Sequence, residues 1–395
     1  MSEFLKRTWA QIDLDAVVRN YTAIKGSLAP SCRVMAIVKA DAYGHGAAFV
    51  SRALQQAGAD WFGVSNLQEA IQLRDAGITS PILILSYTPP EEAARLAAFG
   101  ITQTVISREY AEHLNEAAKA AGMPLNVHIK VDTGMSRVGF FYHDCVTDAK
   151  TAADIAAVCG LSHLHAEGIF THFASADEHD DGGYTERQFA LFTDLIDRLA
   201  ADGITFAIRH CCNSAATLRY PSMHLDMVRP GIILYGLCPD SWMTEFLPLC
   251  PAMALKTVIS LVKSVPAGSS VSYGRTFTAA HDTRLATVPI GYADGYPRAL
   301  SGTARMLVNG RYAPLVGRVC MDQSLLDVSD IPAVREGMTV TVFGEDGGAF
   351  LPVEELSSLS GTIHYETVCL IGKRVPRIFY RGGKMIGKQD YFTND

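Results

Sequence analysis

Between residues 30 and 240, short apolar runs rich in β-branched residues alternate with stretches whose apolar residues recur at helical spacing. The runs predict eight strands: Val34–Lys39, Trp61–Ser65, Ile82–Tyr87, Gln103–Ile106, Asn126–Val131, Glu167–His172, Ile208–Cys212 and Asp226–Val228. The stretches predict six helices: Ala47–Ala57, Gln68–Ala76, Glu91–Ala98, Glu109–Ala120, Val146–Val158 and Glu186–Ala201. Eight parallel strands with crossover helices close a (β/α)8 TIM barrel, which we favour over an open doubly wound sheet.

The pattern changes near residues 237–251, where Pro239, Pro248 and Pro251 indicate a connection. Short predicted strands separated by turn signals follow it: Lys256–Val265, Arg284–Pro289, Ala304–Val308, Tyr312–Val319, Ser324–Asp327 and Thr339–Phe343. Asn309-Gly310 predicts a hairpin turn, and residues 352–359 predict one helix. We therefore predict an α/β chain with a barrel domain over residues 1–245 and a smaller, mostly β domain over residues 246–395.

Composition narrows the class of partner. The net charge is −7 and no cluster of lysine and arginine occurs, which argues against nucleic acid or an anionic membrane as a partner. No uncharged run approaches the length of a membrane span, so we expect a cytoplasmic protein. The nine cysteines lack zinc-like spacing, and we predict no metal site. A small charged metabolite is the expected partner.

Polar residues follow the predicted barrel strands, at Lys39, Asn66, Tyr87, Lys130 with Asp132, His172, Asn213 with Ser214, and Arg229 with Gly231. In a barrel these strand ends converge on the face that carries the active site. For Asn66 and Tyr87 alone, ordinary strand-end positions are the simpler interpretation.

Lys39 ends an apolar strand, and two interpretations are open. The side chain could extend to solvent, or burial could favour its neutral amine, which attacks carbonyl groups to form a Schiff base. The second interpretation predicts an aldehyde cofactor, pyridoxal phosphate, together with a site for its phosphate. Asn213-Ser214 opens a short helix and Arg229-Pro230-Gly231 offers a second turn, so both are candidate anion sites.

Seven segments carry a resemblance to a known family: Val38–Gly46, Lys130–Gly139, Thr171–Ala174, Arg229–Gly231, Ser272–Gly274, Gly291–Gly295 and Gly317–Asp322. In this order they resemble the motifs of the alanine racemases, which are pyridoxal-phosphate enzymes of fold type III. The likeness covers nearly the whole chain. It implies a homodimer with shared active sites and a first strand, about residues 8–14, that joins the C-terminal domain.

The resemblance also implies roles for residues. Lys39 would be the Schiff-base lysine and one catalytic base, and Tyr273 would serve the opposite face of the substrate from the partner subunit. The implied cofactor-binding residues are Lys39, Tyr43, His172, Asn213, Ser214, Arg229, Gly231, Ile232 and Tyr365. Arg229 would donate to the ring nitrogen, because an arginine keeps its proton; the alternative is a structural ion pair between Arg229 and an acid such as Asp226. His172 and Arg229 would be the cations that help Tyr273 act as a base.

Further residues follow from the same likeness. Arg137 and a backbone amide of Met321 would bind the substrate carboxylate, and Lys130 matches a position that is often carbamylated, although an ordinary ion pair with an acid is the alternative. A substrate corridor would contain Asp177, Tyr292, Arg298, Arg318 and Asp322.

The bulky Tyr365 favours alanine as the substrate, giving D-alanine for cell-wall peptidoglycan. Alternatives are a serine/alanine or broader amino-acid racemase and a fold-type III decarboxylase. A non-catalytic cofactor-carrying protein would need neither the β domain nor Tyr273.

Overall fold

The computed structural model describes residues 4–144 and 148–392. These residues divide into two compact units. One unit comprises Val17–Ala42 and Ala47–Cys250, and the other comprises the described residues up to Ala16, Tyr43–Gly46 and those from Pro251 onward.

The first unit contains a barrel of eight parallel strands among the described residues: Arg33–Ile37, Trp61–Val64, Ile82–Ile84, Ile101–Val105, Leu125–Asp132, Leu164–Phe170, Ile208–His210 and Met227–Val228. Met227–Val228 pairs with Arg33–Ile37, and the backbone amides of Asp226 and Arg229 donate to the carbonyls of Arg209 and Cys212. The last strand therefore bridges the first and the seventh, and the predicted barrel is confirmed. A two-residue strand, Phe140–Phe141, pairs with Leu125–Asp132.

Helices separate the barrel strands: Leu14–Gly26, Ala47–Gln56, Leu67–Asp75, Ala93–Ala98, Arg108–Ala121, Ala149–Cys159, Tyr184–Ala201 and Ser214–Arg219. Short 3-10 turns occur at Pro90–Glu92, Pro221–Met223, Ile232–Tyr235 and Ser241–Glu245. The cap chemistry is regular: Asn66 and Ser107 accept hydrogen bonds from amides of the helices that they precede. The helix predicted from Val146 is seen from Ala149 onward, and Val146 lies outside the described residues.

The barrel strands are apolar on both faces because helices cover the outside and side chains fill the inside. Ile82–Ile84 and most of Leu125–Asp132 are almost fully buried. Polar side chains are buried on the same strands, including His128, Lys130 and Asp132. These buried polar groups mark the interior that the candidate site uses.

The second unit is built mainly of β-strands: Thr8–Asp13, Met253–Val258, Leu261–Val265, Ser270–Val271, Phe277–Thr278, Thr283–Val288, Arg305–Val308, Arg311–Pro314, Ser324–Asp327, Thr339–Asp346, Ala349–Leu351, Arg377–Arg381 and Lys384–Gln389. Its helices are Val353–Ser360 and His364–Cys369, with 3-10 turns at Tyr273–Arg275, Tyr292–Asp294 and Arg298–Leu300. Thr8–Asp13 lies between Met253–Val258, which is antiparallel to it, and Arg377–Arg381, which is parallel.

Some details of the β unit match the sequence and others do not. The Asn309-Gly310 hairpin is confirmed, because both residues have positive φ and Val308 pairs with Arg311. The single strand predicted over residues 256–265 is wrong: Met253–Val258 and Leu261–Val265 belong to different sheets. Within the described residues, no helix is both long and apolar enough to cross a bilayer.

Candidate active site

Lys39 does not end a strand, as the sequence predicts, but begins a turn, because the strand stops at Ile37. Ala40, Asp41 and Ala42 have φ of 52°, 53° and 55°, and Tyr43 has φ of 52°. Four successive L-residues thus follow a left-handed helical path, which costs about 1–2 kcal/mol for each residue. Such local strain is typical of functional sites.

Hydrogen bonds hold this turn in place. The amide of Ala40 donates to Glu69 Oε1 at 2.8 Å, and the amide of Ala47 donates to Asp41 Oδ1 at 2.7 Å. The second oxygen of Glu69 accepts from the Ser65 amide at 2.7 Å. One carboxylate therefore ties the Lys39 turn to the end of the neighbouring barrel strand.

Arg229 is buried inside the barrel and only 4% exposed. Its NH2 donates to the carbonyls of Thr171 and Cys211 at 2.8 and 2.9 Å and lies 3.3 Å from His172 Nδ1, and its NH1 donates to His210 Nδ1 at 3.0 Å. Burial lowers the pKa of Arg229 to about 10, so the guanidinium stays protonated at neutral pH. None of these partners is a carboxylate.

Asp226 is not the partner of Arg229. Its carboxylate accepts from the Nε and NH2 of Arg209 at 2.7 and 3.2 Å and from the amide of Arg209 at 2.8 Å. Among the described residues, no hydrogen bond or ion pair joins Arg229 to an acid. A cation without a neighbouring acid suits a neutral, electron-rich acceptor.

The histidines beside Arg229 are held in their neutral form. Burial, followed by the charge of Arg229, lowers the pKa of His172 and of His210 well below the ordinary value. Because a guanidinium only donates, the Nδ1 atom of each ring accepts and the proton lies on Nε2. Each imidazole thus presents an N–H on the side away from Arg229.

Lys130 is buried, and its Nζ donates to the carbonyl of Val131 at 2.6 Å. Burial is the main cause that lowers the pKa of Lys130 to about 7; Asp132 opposes this shift, and the charges of Arg229 and Arg137 add to it. A neutral amine is therefore far more accessible near neutral pH than in an exposed lysine. Gly139 packs against this lysine, since a Cβ there would lie 2.6 Å from the Lys130 carbonyl oxygen.

Asp132 organises the loop that carries Arg137. Its oxygens accept from the amides of Gly134, Ser136 and Arg137, each at 3.0 Å. Burial alone would raise the pKa of Asp132, but the amides of Gly134 and Ser136 outweigh it and lower the pKa. The side chain of Arg137 is exposed at the end of this fixed loop.

The two candidate anion turns lie together. Asn213 Oδ1 caps the helix Ser214–Arg219 by accepting from the Ala216 amide at 2.9 Å. Ser214 Oγ accepts from the Gly231 amide at 2.8 Å, and Ile232 follows at once in a 3-10 turn. The side-chain oxygen of Asn213 is thus used by the helix, whereas the hydroxyl hydrogen of Ser214 is left for another acceptor.

In the β unit, Tyr43 and Tyr365 are half-buried and their ring centroids are 6.2 Å apart. Burial, and to a smaller extent Cys369, raises the pKa of Tyr43, so its hydroxyl remains a donor. Gly44 must be glycine because it has φ of 77° and a Cβ there would lie 2.3 Å from the Val368 carbonyl oxygen.

Tyr273 lies on a short turn and is 72% exposed. The backbone beside it packs closely on Arg318: Ser272 Oγ donates to the Arg318 carbonyl at 2.7 Å, and a Cβ on Gly274 would lie 2.9 Å from Arg318 NH1. The turn is therefore fixed although the phenol is exposed.

A second loop pair brings Tyr292 and Met321 together. The amides of Tyr292 and Ala293 donate to the carbonyls of Cys320 and Met321, both at 3.1 Å, and a Cβ on Gly291 would lie 2.2 Å from the Cys320 carbonyl oxygen. Both predicted site residues have exposed side chains.

The other corridor residues are less closely connected. Asp322 Oδ1 accepts from Arg374 NH2 at 2.7 Å. Arg298 is exposed on its turn, and within the described residues its side chain has no polar contact with another predicted site residue. Asp177 belongs to the barrel unit, where its carbonyl accepts from Trp242 Nε1 at 3.0 Å.

Comparison with known proteins settles the family. The sequence profile described as Alanine racemase, N-terminal domain, matches residues 12–239, and that described as Alanine racemase, C-terminal domain, matches residues 252–379. The chain belongs to the alanine racemase family. The resemblance found from the motifs is therefore confirmed.

Relatives that match over nearly their full length lead to the same family. An alanine racemase of Desulfovibrio desulfuricans is 48% identical over 379 residues, covering 96% of this chain and 100% of the relative, and one of Methanococcus maripaludis is 45% identical over 372 residues, covering 94% and 98%. Among solved structures, alanine racemase of Clostridium difficile superposes with a TM-score of 0.93 at 38% identity over 99% of this chain and 100% of that one. The Bacillus anthracis alanine racemase with bound L-Ala-P gives 0.92 at 37% identity over 99% of each chain. Alanine racemases are isomerases, so the predicted class of enzyme is confirmed.

Sequence reasoning assigned no role to several buried polar residues. His128 and His210 lie behind Arg229, and Asp294 is fully buried where it accepts from Arg7 NH1 at 2.9 Å. His128 was detectable, because His128, Lys130 and Asp132 alternate along one strand and therefore share its inward face. Asp294 lies within the motif Gly291–Gly295, but its residue type alone did not indicate a role. Within the described residues, no group of three or more acidic, histidine or cysteine side chains is arranged to hold a metal ion.

Proposed function

We propose that this chain interconverts L-alanine and D-alanine with pyridoxal phosphate, as a homodimer with shared active sites, and supplies D-alanine for cell-wall peptidoglycan. The observation that carries the proposal is the environment of Arg229, a buried cation held by two carbonyls and two imidazoles. A carboxylate facing the ring nitrogen would keep the ring protonated, whereas an arginine leaves it neutral. A neutral ring withdraws electrons less strongly than a protonated one. This weaker electron sink favours racemisation over reactions that need a stronger one.

The residues present fit the cofactor. A guanidinium has five N–H groups. The NH1 and NH2 groups of Arg229 face His210, Thr171, Cys211 and, at 3.3 Å, His172, and within the described residues its Nε–H has no acceptor. Ser214 Oγ accepts from Gly231 and can still donate its own proton. The chain thus offers a donor for a pyridine nitrogen and a donor for a phosphate.

Lys39, Ser214, Gly231, Ile232 and Arg229 would hold the cofactor. By the resemblance, the set also includes Tyr43, His172, Asn213 and Tyr365. When bound, pyridoxal phosphate supplies an electron sink that acidifies the α-hydrogen of an amino acid.

Two bases move the proton in this proposal. Lys39 removes or returns a proton on one face of the α-carbon, and the partner subunit's Tyr273 does so on the other. The exposed phenol of Tyr273 on a fixed turn supports this role. His172, whose Nε2 carries a proton, can donate to the phenolate oxygen and stabilise it.

Lys130 is proposed to be carbamylated. With a pKa of about 7, its neutral amine can attack CO2, forming a nitrogen–carbon bond and releasing one proton to give a carbamate anion. The carbamate would orient Arg137 by a charge-assisted bond, and Arg137 and the Met321 amide would bind the substrate carboxylate. Labelling with 13C-bicarbonate, followed by 13C NMR of the wild type and of Lys130→Met, tests this modification.

Substrate size is the next part of the proposal. By the resemblance, the bulky Tyr365, whose ring centroid is 6.2 Å from that of Tyr43, would restrict the substrate side chain to about a methyl group. We expect kcat/KM for L-alanine to exceed that for L-serine by roughly tenfold or more. Chiral chromatography of both reactions measures the ratio. Faster turnover of L-serine would favour the broader racemase instead.

The central experiment follows loss of optical rotation in L-alanine alongside the visible absorption of the loaded enzyme. Lys39→Ala is expected to abolish both the absorption band and racemisation. Lys25→Ala is the matched control, because Lys25 pairs with Asp60 at 3.2 Å, away from the candidate site, and should leave both unchanged. Release of CO2 from the substrate would contradict the proposal and favour a decarboxylase.

The remaining expectations belong to the same proposal. Residues 1–245 would be the cofactor-binding domain and residues 246–395 the β domain, to which the strand Thr8–Asp13 contributes by its pairing. Sedimentation velocity should give a dimer, and cell fractionation should find the enzyme in the cytoplasm.

A further inference from the structure

Asp294 is a fully buried carboxylate in the β unit, and the proposed reaction does not use it. Its Oδ1 accepts from Arg7 NH1 at 2.9 Å, and its Oδ2 accepts from Arg7 NH2 at 3.3 Å and from the Gly291 amide at 3.0 Å. Arg374 Nε forms a second ion pair with Oδ1 at 3.3 Å. Burying a charge is costly even when it is paired, so this acid calls for an explanation.

The carboxylate closes a tight turn of its own backbone. The Gly291 amide donates to the Asp294 side chain, and in return the Asp294 amide donates to the Gly291 carbonyl at 3.0 Å. The Gly295 amide donates to the Tyr292 carbonyl at 3.2 Å and completes the turn. The amides of Tyr292 and Ala293, which lie inside this turn, are the groups that hold the neighbouring loop.

The neighbouring loop carries Cys320 and Met321. The Cys320 carbonyl accepts from the Tyr292 amide, and the Met321 carbonyl accepts from the Ala293 amide, both at 3.1 Å. The Cys320 carbonyl and the Met321 amide belong to one planar trans peptide unit, in which C=O and N–H point in opposite directions. The bond from Tyr292 therefore fixes the direction of the Met321 N–H and points it away from the turn.

The Met321 amide is itself available to a ligand. Within the described residues it donates to no protein acceptor. An N–H of fixed direction and without a protein partner suits an anionic oxygen, because hydrogen bonds to a charged acceptor are the stronger ones. In the proposed function this amide binds the substrate carboxylate.

The two arginines tie Asp294 to the same loop on its other side. Arg374 NH2 donates to Asp322 Oδ1 at 2.7 Å, and Arg7 NH2 donates to the Asp322 carbonyl at 3.4 Å. The two carboxylates and the two guanidinium groups balance in charge. Met321 is therefore held from both sides, by the turn before it in this network and by the arginines at the residue that follows it.

Close packing leaves the turn little freedom to shift. Gly295 has φ of 96°, and a Cβ there would lie 2.2 Å from the Leu370 carbonyl oxygen. The Gly372 amide donates to the Asp294 carbonyl at 2.9 Å. The turn is thus fixed against a second segment, residues 370–372, as well as against the Met321 loop.

We propose that Asp294 is a positioning residue of this enzyme: it fixes the turn that directs the Met321 amide towards the substrate carboxylate. The inference rests on the proposed function, which assigns this amide to the carboxylate. Asp294 has no exposed surface with which to touch the substrate. Its loss should weaken binding of the carboxylate and leave proton transfer nearly unchanged.

The test measures racemisation by the pyridoxal-phosphate-loaded enzyme. In Asp294→Asn the side chain keeps its size but loses its charge, and its NH2 group would face donors from Arg7 or Gly291. We expect KM for L-alanine to rise about tenfold, with kcat changed less than about twofold.

Propionate separates binding from turnover. It has the carboxylate and the methyl group of alanine but no amine, so it reports the carboxylate site without bonding to the cofactor. Its inhibition constant should rise about tenfold in Asp294→Asn, in step with KM. A purely structural role would lower the melting temperature of the loaded enzyme and leave this inhibition constant unchanged.

Arg374→Gln is a second variant that tests the same network from its surface. Arg374 is partly exposed, so its replacement is compatible with folding even where Asp294→Asn is not. KM for L-alanine and the inhibition constant of propionate should both rise about threefold. The double variant should resemble Asp294→Asn alone, because the two residues act through one network.

Glu355→Gln is the matched control in the same β unit. Glu355 accepts from Arg305 Nε and NH2, both at 2.8 Å, and among the described residues it makes no hydrogen bond to the turn or to the Met321 loop. Breaking this ion pair should affect stability alone and leave both constants unchanged.

Unchanged KM and an unchanged inhibition constant in Asp294→Asn and Arg374→Gln would overturn the inference. A loss of kcat at constant KM would contradict it too, because the carboxylate would still be bound. The proposed function fails separately, if the wild type does not racemise alanine. Calorimetric titration with propionate then still reports whether Asp294 orders a carboxylate site, and a wild type that binds no propionate would contradict the inference.

Discussion

The barrel unit and the β unit hold their candidate site residues in opposite ways. In the barrel, Arg229, His210 and His128 are buried and joined by hydrogen bonds of 3.0 and 2.9 Å. In the β unit, the side chains of Tyr273 and Tyr292 are exposed, while their backbones are fixed by close packing of loops. Low dielectric and hydrogen bonds determine charge in the first case. In the β unit, packing fixes the backbone of the loops, while the phenol groups of the two tyrosines remain exposed.

The largest expected effect tests whether a buried barrel residue and an exposed β-unit residue work together in active sites shared across the dimer. Lys39→Ala and Tyr273→Phe should each lose roughly 100-fold to 10,000-fold in racemisation, because each removes one proton carrier. Mixed and reassembled at equal amounts, half of the dimers carry both variants, and each of those dimers has one intact site. Activity should therefore return to about a quarter of the wild-type value. Racemisation measured by polarimetry after mixing gives the answer.

Failure of mixing to restore activity, with hybrid dimers verified by differential tagging, would mean that Tyr273 acts within its own chain. Thermal stability is the control for Tyr273→Phe. It should be unchanged, because the phenol is exposed and its loop is held by Ser272 and Gly274.

Arg229→Lys tests the buried residues of the barrel unit. Lysine keeps the charge but loses the planar fork that serves Thr171, Cys211 and His210 together. We expect racemisation to fall roughly tenfold to hundredfold, together with a lower melting temperature. Arg209→Lys is the matched control, since Arg209 pairs with Asp226 and should affect stability alone. Equal losses of activity in both variants would argue against a special role for Arg229.

The smallest expected effect is a loss of folding stability at acidic pH. Because His128, His172 and His210 have lowered pKa values in the folded chain, the unfolded chain binds more protons as the pH falls below about 6.5. Stability should therefore decline steadily from about pH 6.5 towards pH 3, where His128 titrates in the folded state. Urea unfolding at pH 7 and pH 5 measures the loss.

His128→Gln should reduce that pH dependence, and the exposed His113→Gln should not. If both variants lose as much stability as the wild type between the two pH values, the buried imidazole is not the cause.

The sequence allowed much of the barrel half to be predicted, for physical reasons. Buried parallel strands are apolar throughout, so the polar residues that end them, such as Lys130, His172 and Arg229, stand out. Glu167 is the extra residue of a β-bulge, and this bulge could not be predicted, because register depends on the neighbouring strand. The break near Ile259 could not be predicted either, since β-branched and other apolar residues mixed with short polar runs continue on both sides of it without a glycine or proline.

The turn after Lys39 escaped prediction for a different reason. Ala40, Ala42 and Tyr43 carry no sequence signal for positive φ, and the single Asp41 does not predict four such residues in succession. Their conformation depends on Glu69 and on the chain around it. Local propensity is overridden here by tertiary contacts.

This same turn inverts an everyday rule of mutagenesis. In a right-handed helix, replacing alanine by glycine is destabilising. At the exposed Ala40 the methyl group itself disfavours the observed backbone conformation, because positive φ is natural for a D-amino acid and strained for an L-amino acid. Substitution tables that rank alanine above glycine would misjudge this segment. A protein of the alanine racemase family thus keeps L-alanine residues of its own in the shape that their mirror images would adopt without strain.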